Sequence, residues 1–231
     1  MARWARVVSN IAFDFRLEHG RCVGIRLPDG ETPGADALPA GELAFAAKLT
    51  AVRRRTWLGG RVALRLALSR AGLDAPAVLV DPRGAPMLPP EVSGSISHKE
   101  TLAVALVAPA TPQSATHLGV DVELDRASSH DIASKVLTDE EVGEVAGLES
   151  AARARAVLLR FSAKEAVYKA LDPFVRRYVA FKEVSVRPLP AGAAEVQLHL
   201  PESEGSFAAE VRWLRWEQFF VTTARVTKVG A

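Results

Sequence analysis

The stretch Leu118-Gly119-Val120-Asp121-Val122-Glu123-Leu124 alternates acidic with aliphatic residues. Side chains two apart in a strand point to the same face, so Asp121 and Glu123 project together while Val120, Val122 and Leu124 face the core. Two like charges on one face repel, and a hard divalent cation is a common reason to tolerate them. A strand with its polar face in solvent carries the same pattern.

Working outward from this strand, a Pro-, Thr- and Ser-rich loop at 109 to 116 precedes it. Before the loop, Ser95-Ile96-Ser97-His98 and Leu102 to Val107 read as two strands of a hairpin turned near Lys99-Glu100. Val78 to Val80 reads as a short buried strand and Asp81 to Pro86 as a loop. From Gly41 to Gly72, Leu43, Phe45, Ala46, Leu49, Val52, Trp57, Leu58, Val62 and Leu66 recur at helical spacing, predicting one long or two consecutive helices. Residues 1 to 39 are mixed, with turn signals at Pro28-Asp29-Gly30 and Pro33-Gly34.

On the other side, Thr138 followed by Glu141 has the form of a capping box. Residues 151 to 171 predict a strong Ala-rich helix. After Pro173 the pattern becomes strands, at Phe181 to Val186, Val196 to Leu200, Phe207 to Trp213 and Phe219 to Val226. Each half thus reads as a helical stretch plus several strands. This predicts an α+β fold of two subdomains, 1–112 and 113–231, with the loop as the seam.

Composition narrows the class. The 231 residues are 48% hydrophobic and 24% charged, as in ordinary soluble globular proteins, and the net charge of +2 points to neither nucleic acid nor membrane. Arg53, Arg54, Arg55, Arg61 and Arg65 nevertheless cluster within one helical stretch. Such a cluster suits a solvated helix face, and equally a phosphate-rich ligand or an acidic partner. Cys22 is the only cysteine, which excludes an internal disulfide and a thiolate zinc site. No apolar run has the length of a membrane span, and a cytoplasmic enzyme or binding protein is the expectation.

Two further segments carry chemistry. In Phe161-Ser162-Ala163-Lys164-Glu165-Ala166-Val167-Tyr168-Lys169, Glu165 and Lys169 share a helix face, as an ordinary surface ion pair also would. Lys164 points in a different direction. In Gly94-Ser95-Ile96-Ser97-His98-Lys99, the histidine suits a structural strand end. With Ser97, Lys99 and the Arg83-Gly84 loop it also suits phosphate binding.

In this order and spacing, the three segments resemble those of the surfactin-synthetase-type 4′-phosphopantetheinyl transferases. The likeness is strongest to the enterobactin-synthase branch serving siderophore, polyketide and nonribosomal-peptide assembly lines. The Arg53-to-Arg61 run, Arg83-Gly84-Ala85-Pro86 and Lys169 to Phe174 followed by Phe181 are similar to further stretches of that branch. The resemblance covers residues 41 to 186.

The resemblance implies a pseudo-dimer of two similar α+β subdomains with the active site in the cleft between them. It implies transfer of the phosphopantetheine arm of coenzyme A to a serine of an acyl or peptidyl carrier protein, releasing 3′,5′-ADP. Asp121, Glu123 and Glu165 would hold Mg²⁺, with Mn²⁺ as the alternative. Glu165 would also be the base for the serine hydroxyl. Lys169, with Lys164 as second candidate, would neutralise charge at the pyrophosphate. Arg53, Arg61, Arg83, Ser97 and His98 would bind coenzyme A. A monomer is expected, and the stretch 126 to 150, with Lys135, Val136 and Leu137, is the expected carrier-protein surface. Phe161 stands where many relatives have tryptophan, and Lys99 follows His98 where other residues are usual. The rival readings are a non-catalytic module binding coenzyme A or a carrier protein, and a metal-dependent phosphate-ester hydrolase. The histidines at 19, 98, 117, 130 and 199 show no paired ligand spacing for the hydrolase.

Overall fold

A computed structural model describes residues 9–111, 115–126 and 132–230. The chain divides into two compact units, Met1–Ser114 and Ala115–Ala231. Each is α+β, an antiparallel sheet packed on one long helix.

In the first unit the strands β1 (Ile11–Leu17), β2 (Gly20–Arg26), β3 (Val92–His98) and β4 (Leu102–Pro109) pair in the order β1-β2-β4-β3. The expected helical stretch is two helices, α1 (Ala40–Ala46) and α2 (Ala51–Ala71). Helix α2 lies on the sheet through Trp57, Val62, Ala63, Leu66 and Ala67, which pack with Val23, Ile25, Ala103 and Ala105. Glycines at 59 and 60 let it press close, because a Cβ on Gly59 would lie 2.5 Å from Leu27 and one on Gly60 2.8 Å from Ile96. The β3–β4 hairpin turns where the sequence predicts, with Lys99 N–H donating to Leu102 O at 2.8 Å. Val78 to Val80 does not form a strand; it contributes a single bridge, Val80 to Pro86.

The second unit holds β5 (Thr116–Leu124), α3 (Ala133–Val136), α4 (Asp139–Val145), α5 (Ser150–Val175), β6 (Val184–Pro188), β7 (Ala193–Leu198), β8 (Ser206–Trp216) and β9 (Phe219–Val229). Its sheet order is β5-β9-β8-β7-β6. Chain-distant β5 becomes the neighbour of the last strand, with Asp121 opposite Thr222. Helix α5 crosses the sheet and buries Ala163, Ala166, Val167, Ala170 and Leu171 against Val184, Val186, Val211, Ala224 and Val226. The capping box at the start of α4 is formed: Thr138 N–H donates to Glu141 Oε2 at 2.8 Å, and Glu141 N–H to Thr138 Oγ1 at 3.4 Å. Where a strand is expected from Phe181, the residues Phe181–Glu183 form a 3₁₀ turn and β6 begins at Val184. Among the described residues no helix is long and apolar enough to cross a membrane.

Candidate active site

Gly119, Asp121 and Glu123 share the face of β5 that α5 covers. A Cβ at Gly119 would lie only 1.8 Å from the carbonyl oxygen of Ala166, so helix and strand meet there backbone to backbone. Only a residue without a side chain permits that approach. Its consequence is that side chains from two turns of α5 reach Asp121. Ser162 Oγ donates to Asp121 Oδ2 at 2.9 Å, and Lys169 Nζ donates to Asp121 Oδ1 at 2.8 Å and to Val120 O at 2.9 Å. Thr222, opposite Asp121 on β9, lies 2.7 Å from Ser162 Oγ and donates to Ser162 O at 3.0 Å.

The solvent-facing reading of this strand is therefore overturned. Asp121 and Glu123 are 4% and 8% exposed. Burying a carboxylate is costly unless it is paired and hydrogen-bonded, and Lys169 with Ser162 supplies both for Asp121. The lysine does not serve an isolated surface pair on the helix; it reaches across to the sheet. Ser162 and Thr222 did not stand out in the sequence, because their role depends on a register between strands a hundred residues apart. Gly119 was the available signal, a residue poor for strands placed between Leu118 and Val120.

Glu165, half-buried, sits one turn before Lys169 and lines a small crevice with Tyr168, Tyr178 and Phe181. Among the described residues, no three acidic, histidine or cysteine side chains stand close enough to hold a metal ion between them. In this arrangement Asp121 is drawn to Lys169 and Ser162. Magnesium is commonly held by one or two carboxylates plus substrate phosphates and waters. The Asp121–Glu123 pair, hard oxygen donors on one face, fits that donor set.

Lys164, the second candidate for the pyrophosphate, is engaged within the protein. It is 1% exposed, and its Nζ donates to Glu141 Oε2 at 2.6 Å and to Val136 O at 2.7 Å. Burial holds its pKa below the ordinary lysine range, with the Glu141 hydrogen bond only partly offsetting. Glu141 Oε1 in turn accepts from Val186 N–H at 2.7 Å. Lys164 is therefore the pin joining α5 to α3, α4 and β6. The expected carrier-protein surface changes as well. Val136 and Leu137 are each 1% exposed and belong to the core, while residues 127–131 of that stretch lie outside the described residues.

In the first unit, most of the arginine cluster binds backbone carbonyls. Arg54 donates to Ala46 O, Ala47 O and Leu49 O, each at 3.0 Å, closing the end of α1. Arg55 donates to Pro28 O and Asp29 Oδ1, both at 3.1 Å. Arg65 donates to Ala75 O at 2.5 Å and Pro76 O at 2.6 Å, and pairs with buried Glu42. Arg61, expected at coenzyme A, is 3% exposed and spends its guanidinium on Val78 O at 2.7 Å and Leu79 O at 3.3 Å, stacked 4.3 Å above the Trp57 ring. Burial pushes its pKa down to about 10. Arg61 thus anchors the segment that runs into the Arg83 turn. In that turn the Asp81 carboxylate accepts N–H bonds from Arg83 at 2.8 Å and Ala85 at 2.9 Å, and the Arg83 side chain is exposed. Arg53 is exposed in the first turn of α2; His98 is half-buried at the end of β3, with Ser97 buried before it.

Residues 42–108 match the family model of the 4′-phosphopantetheinyl transferase N-terminal domain, and residues 117–224 that of the 4′-phosphopantetheinyl transferase superfamily. The chain is 33% identical to 4′-phosphopantetheinyl transferase Svp of Streptomyces mobaraensis, over 80% of this chain and 77% of that protein. The chain belongs to the 4′-phosphopantetheinyl transferase superfamily. It is 30% identical to enterobactin synthase component D of Salmonella typhi, over 78% of this chain and 72% of that protein. To 4′-phosphopantetheinyl transferase Npt of Nocardia iowensis it is 32% identical over 61% of each chain. A holo-(acyl-carrier-protein) synthase from Bacillus anthracis str. Ames, solved in complex with CoA (3′,5′-ADP), is 22% identical at a TM-score of 0.40, over 48% of this chain and 95% of that one. Within the superfamily, the relatives put this transferase in the branch of enterobactin synthase component D and Svp.

Proposed function

We propose that this transferase moves the phosphopantetheine arm of coenzyme A onto a serine hydroxyl of an acyl or peptidyl carrier protein, releasing 3′,5′-ADP. The observation that carries the reading is the buried Asp121, bound by Lys169 and Ser162, on the strand motif of the superfamily. In the step, the serine Oγ forms a bond to the β-phosphorus as the bridging bond to the α-phosphate breaks. The electron pair leaves with 3′,5′-ADP, and the serine proton goes to a Glu165 carboxylate oxygen, a suitable base for a hydroxyl of high pKa.

Catalysis of this kind is mainly positioning and charge neutralisation. Asp121, Glu123 and Glu165 would hold Mg²⁺, or Mn²⁺ in its place. Such an ion, when bound, supplies Lewis-acid stabilisation of the pyrophosphate. Lys169, with a quarter of its side chain exposed, has charge to share between Asp121 and a phosphate oxygen. Arg53, Arg83 and His98, with the Ser97 hydroxyl, are assigned to the phosphates of coenzyme A, where a guanidinium fork donates two parallel bonds.

The test is incubation of the protein with an apo carrier protein, coenzyme A and Mg²⁺, followed by intact-mass measurement. A gain of one phosphopantetheine on the carrier is expected. Coenzyme A binding without mass gain on several carriers would favour a non-catalytic binding module instead.

A further inference from the structure

The segment after α5 has features that the transferase motifs do not account for. Arg176 closes the helix with φ 50° and ψ 32°, donating its N–H to Asp172 O at 2.9 Å. Helices that end this way usually place glycine there, because a β-carbon is strained in the left-handed region. Here the position holds an exposed arginine. Two residues on, Tyr178 is 64% exposed, its ring 5.9 Å from that of Tyr168. Lys182 is also exposed.

The backbone between them is fixed. Arg177 binds both Glu183 oxygens, at 3.0 and 2.6 Å, also pairs with Glu204, and donates to Tyr178 O at 2.8 Å. Ala180 N–H adds a bond to Glu183 Oε2 at 2.8 Å. Arg177 thereby pairs with the one acid of the loop, shared with Glu204 from outside it, and Arg176 and Lys182 are the loop's exposed cations. The same loop bounds the crevice on which Glu165 opens.

We infer that residues 176–183 form the docking surface for an acidic face of the carrier protein, beside Glu165. The inference rests on the transferase reading and adds where the protein substrate binds. Charge complementarity selects the occupant: Arg176 and Lys182 attract an acidic surface, whereas α4 exposes Asp139, Glu140 and Glu144 and repels one. A tyrosine and an arginine on a preorganised backbone are the residues that dominate binding energy at protein interfaces.

Steady-state transfer to an apo carrier protein tests this with R176G and R176E/K182E variants, measuring KM for carrier and for coenzyme A separately. R176G relieves the backbone strain, so its Tm is expected to hold or rise while KM for the carrier increases about threefold. R176E/K182E is expected to raise that KM about tenfold with the coenzyme A KM unchanged. A carrier whose acidic residues near the serine are reversed to lysine should recover most of that loss. Wild-type transfer with an unchanged carrier KM in both variants overturns the docking surface and leaves the transferase reading standing. Failure of the wild-type protein to modify any apo carrier overturns both.

Discussion

Gly119 shows how much of a site a single residue can determine. The strand and the paired acids were legible from alternation alone, but which face they occupy was not. Alternation gives a period, not a direction, and nothing local says that a helix lies on the acidic side. A Gly119→Ala variant must push Ala166 away, at a cost of about 3 kcal/mol or more. Its Tm should fall by roughly 10 °C in calorimetry, and transfer should fall with it because Ser162 and Lys169 lose their reach to Asp121. An unchanged Tm would contradict the backbone contact. Cys22 gives an independent reading of the other core. It is fully buried, and that burial, with a smaller contribution from Asp14, pushes its thiol up to about 12. A folded pKa above the unfolded value contributes stability that is complete below about pH 9 and is lost as pH rises toward 12. Alkylation at pH 8 should accordingly be negligible in the native protein and rapid in urea, as followed by mass spectrometry.

At the scale of elements, legibility followed the strength of the local pattern. The capping box at Thr138 and Glu141 and the Ala-rich α5 carried signals within a few residues, and both formed near the expected places. Strands β1 and β2 were missed. β1 is a sheet edge with most of its residues only partly buried, so Ile11–Leu17 mixes Asp14 and Arg16 into an apolar run, and β2 is interrupted by Gly24. The internal partners of Lys164 and Arg61 were illegible for a different reason. A cationic side chain in a phosphate-binding motif reads the same whether it faces a ligand or a carbonyl far along the chain. The Lys164–Glu141 pin makes the distinction testable. Lys164→Met strands a buried carboxylate and should cost about 3–5 kcal/mol. Glu141→Gln combined with Lys164→Met leaves no unpaired buried charge and should recover much of that loss in urea unfolding. It should also recover transfer activity, since Lys164 as placed touches no reacting atom. A stable double variant without activity would return Lys164 to the chemistry.

For the whole molecule, the two units separate the proposed roles by chemistry. The first exposes Arg53 and Arg83 on a helix start and a tight turn, groups suited to holding phosphate before and after reaction alike. Contacts equal in ground and transition states set KM and leave kcat untouched. The second unit buries Asp121 with Lys169 and sets Glu165 a turn away, groups whose interaction changes as charge moves. Arg83→Ala removes an exposed side chain from a turn held by Asp81, so Tm should not change. Loss of one charge-assisted phosphate contact should raise KM for coenzyme A about tenfold, with kcat within a factor of about two. Asp121→Asn keeps the volume and the Ser162 bond but removes the charge. It should lower kcat about a hundredfold or more while changing KM for coenzyme A far less. Measured side by side under saturating carrier protein, the two variants should therefore fall on different axes. Equal losses of kcat in both would mean that Arg83 acts on the transition state, and that binding and rate are not divided between the units in this way.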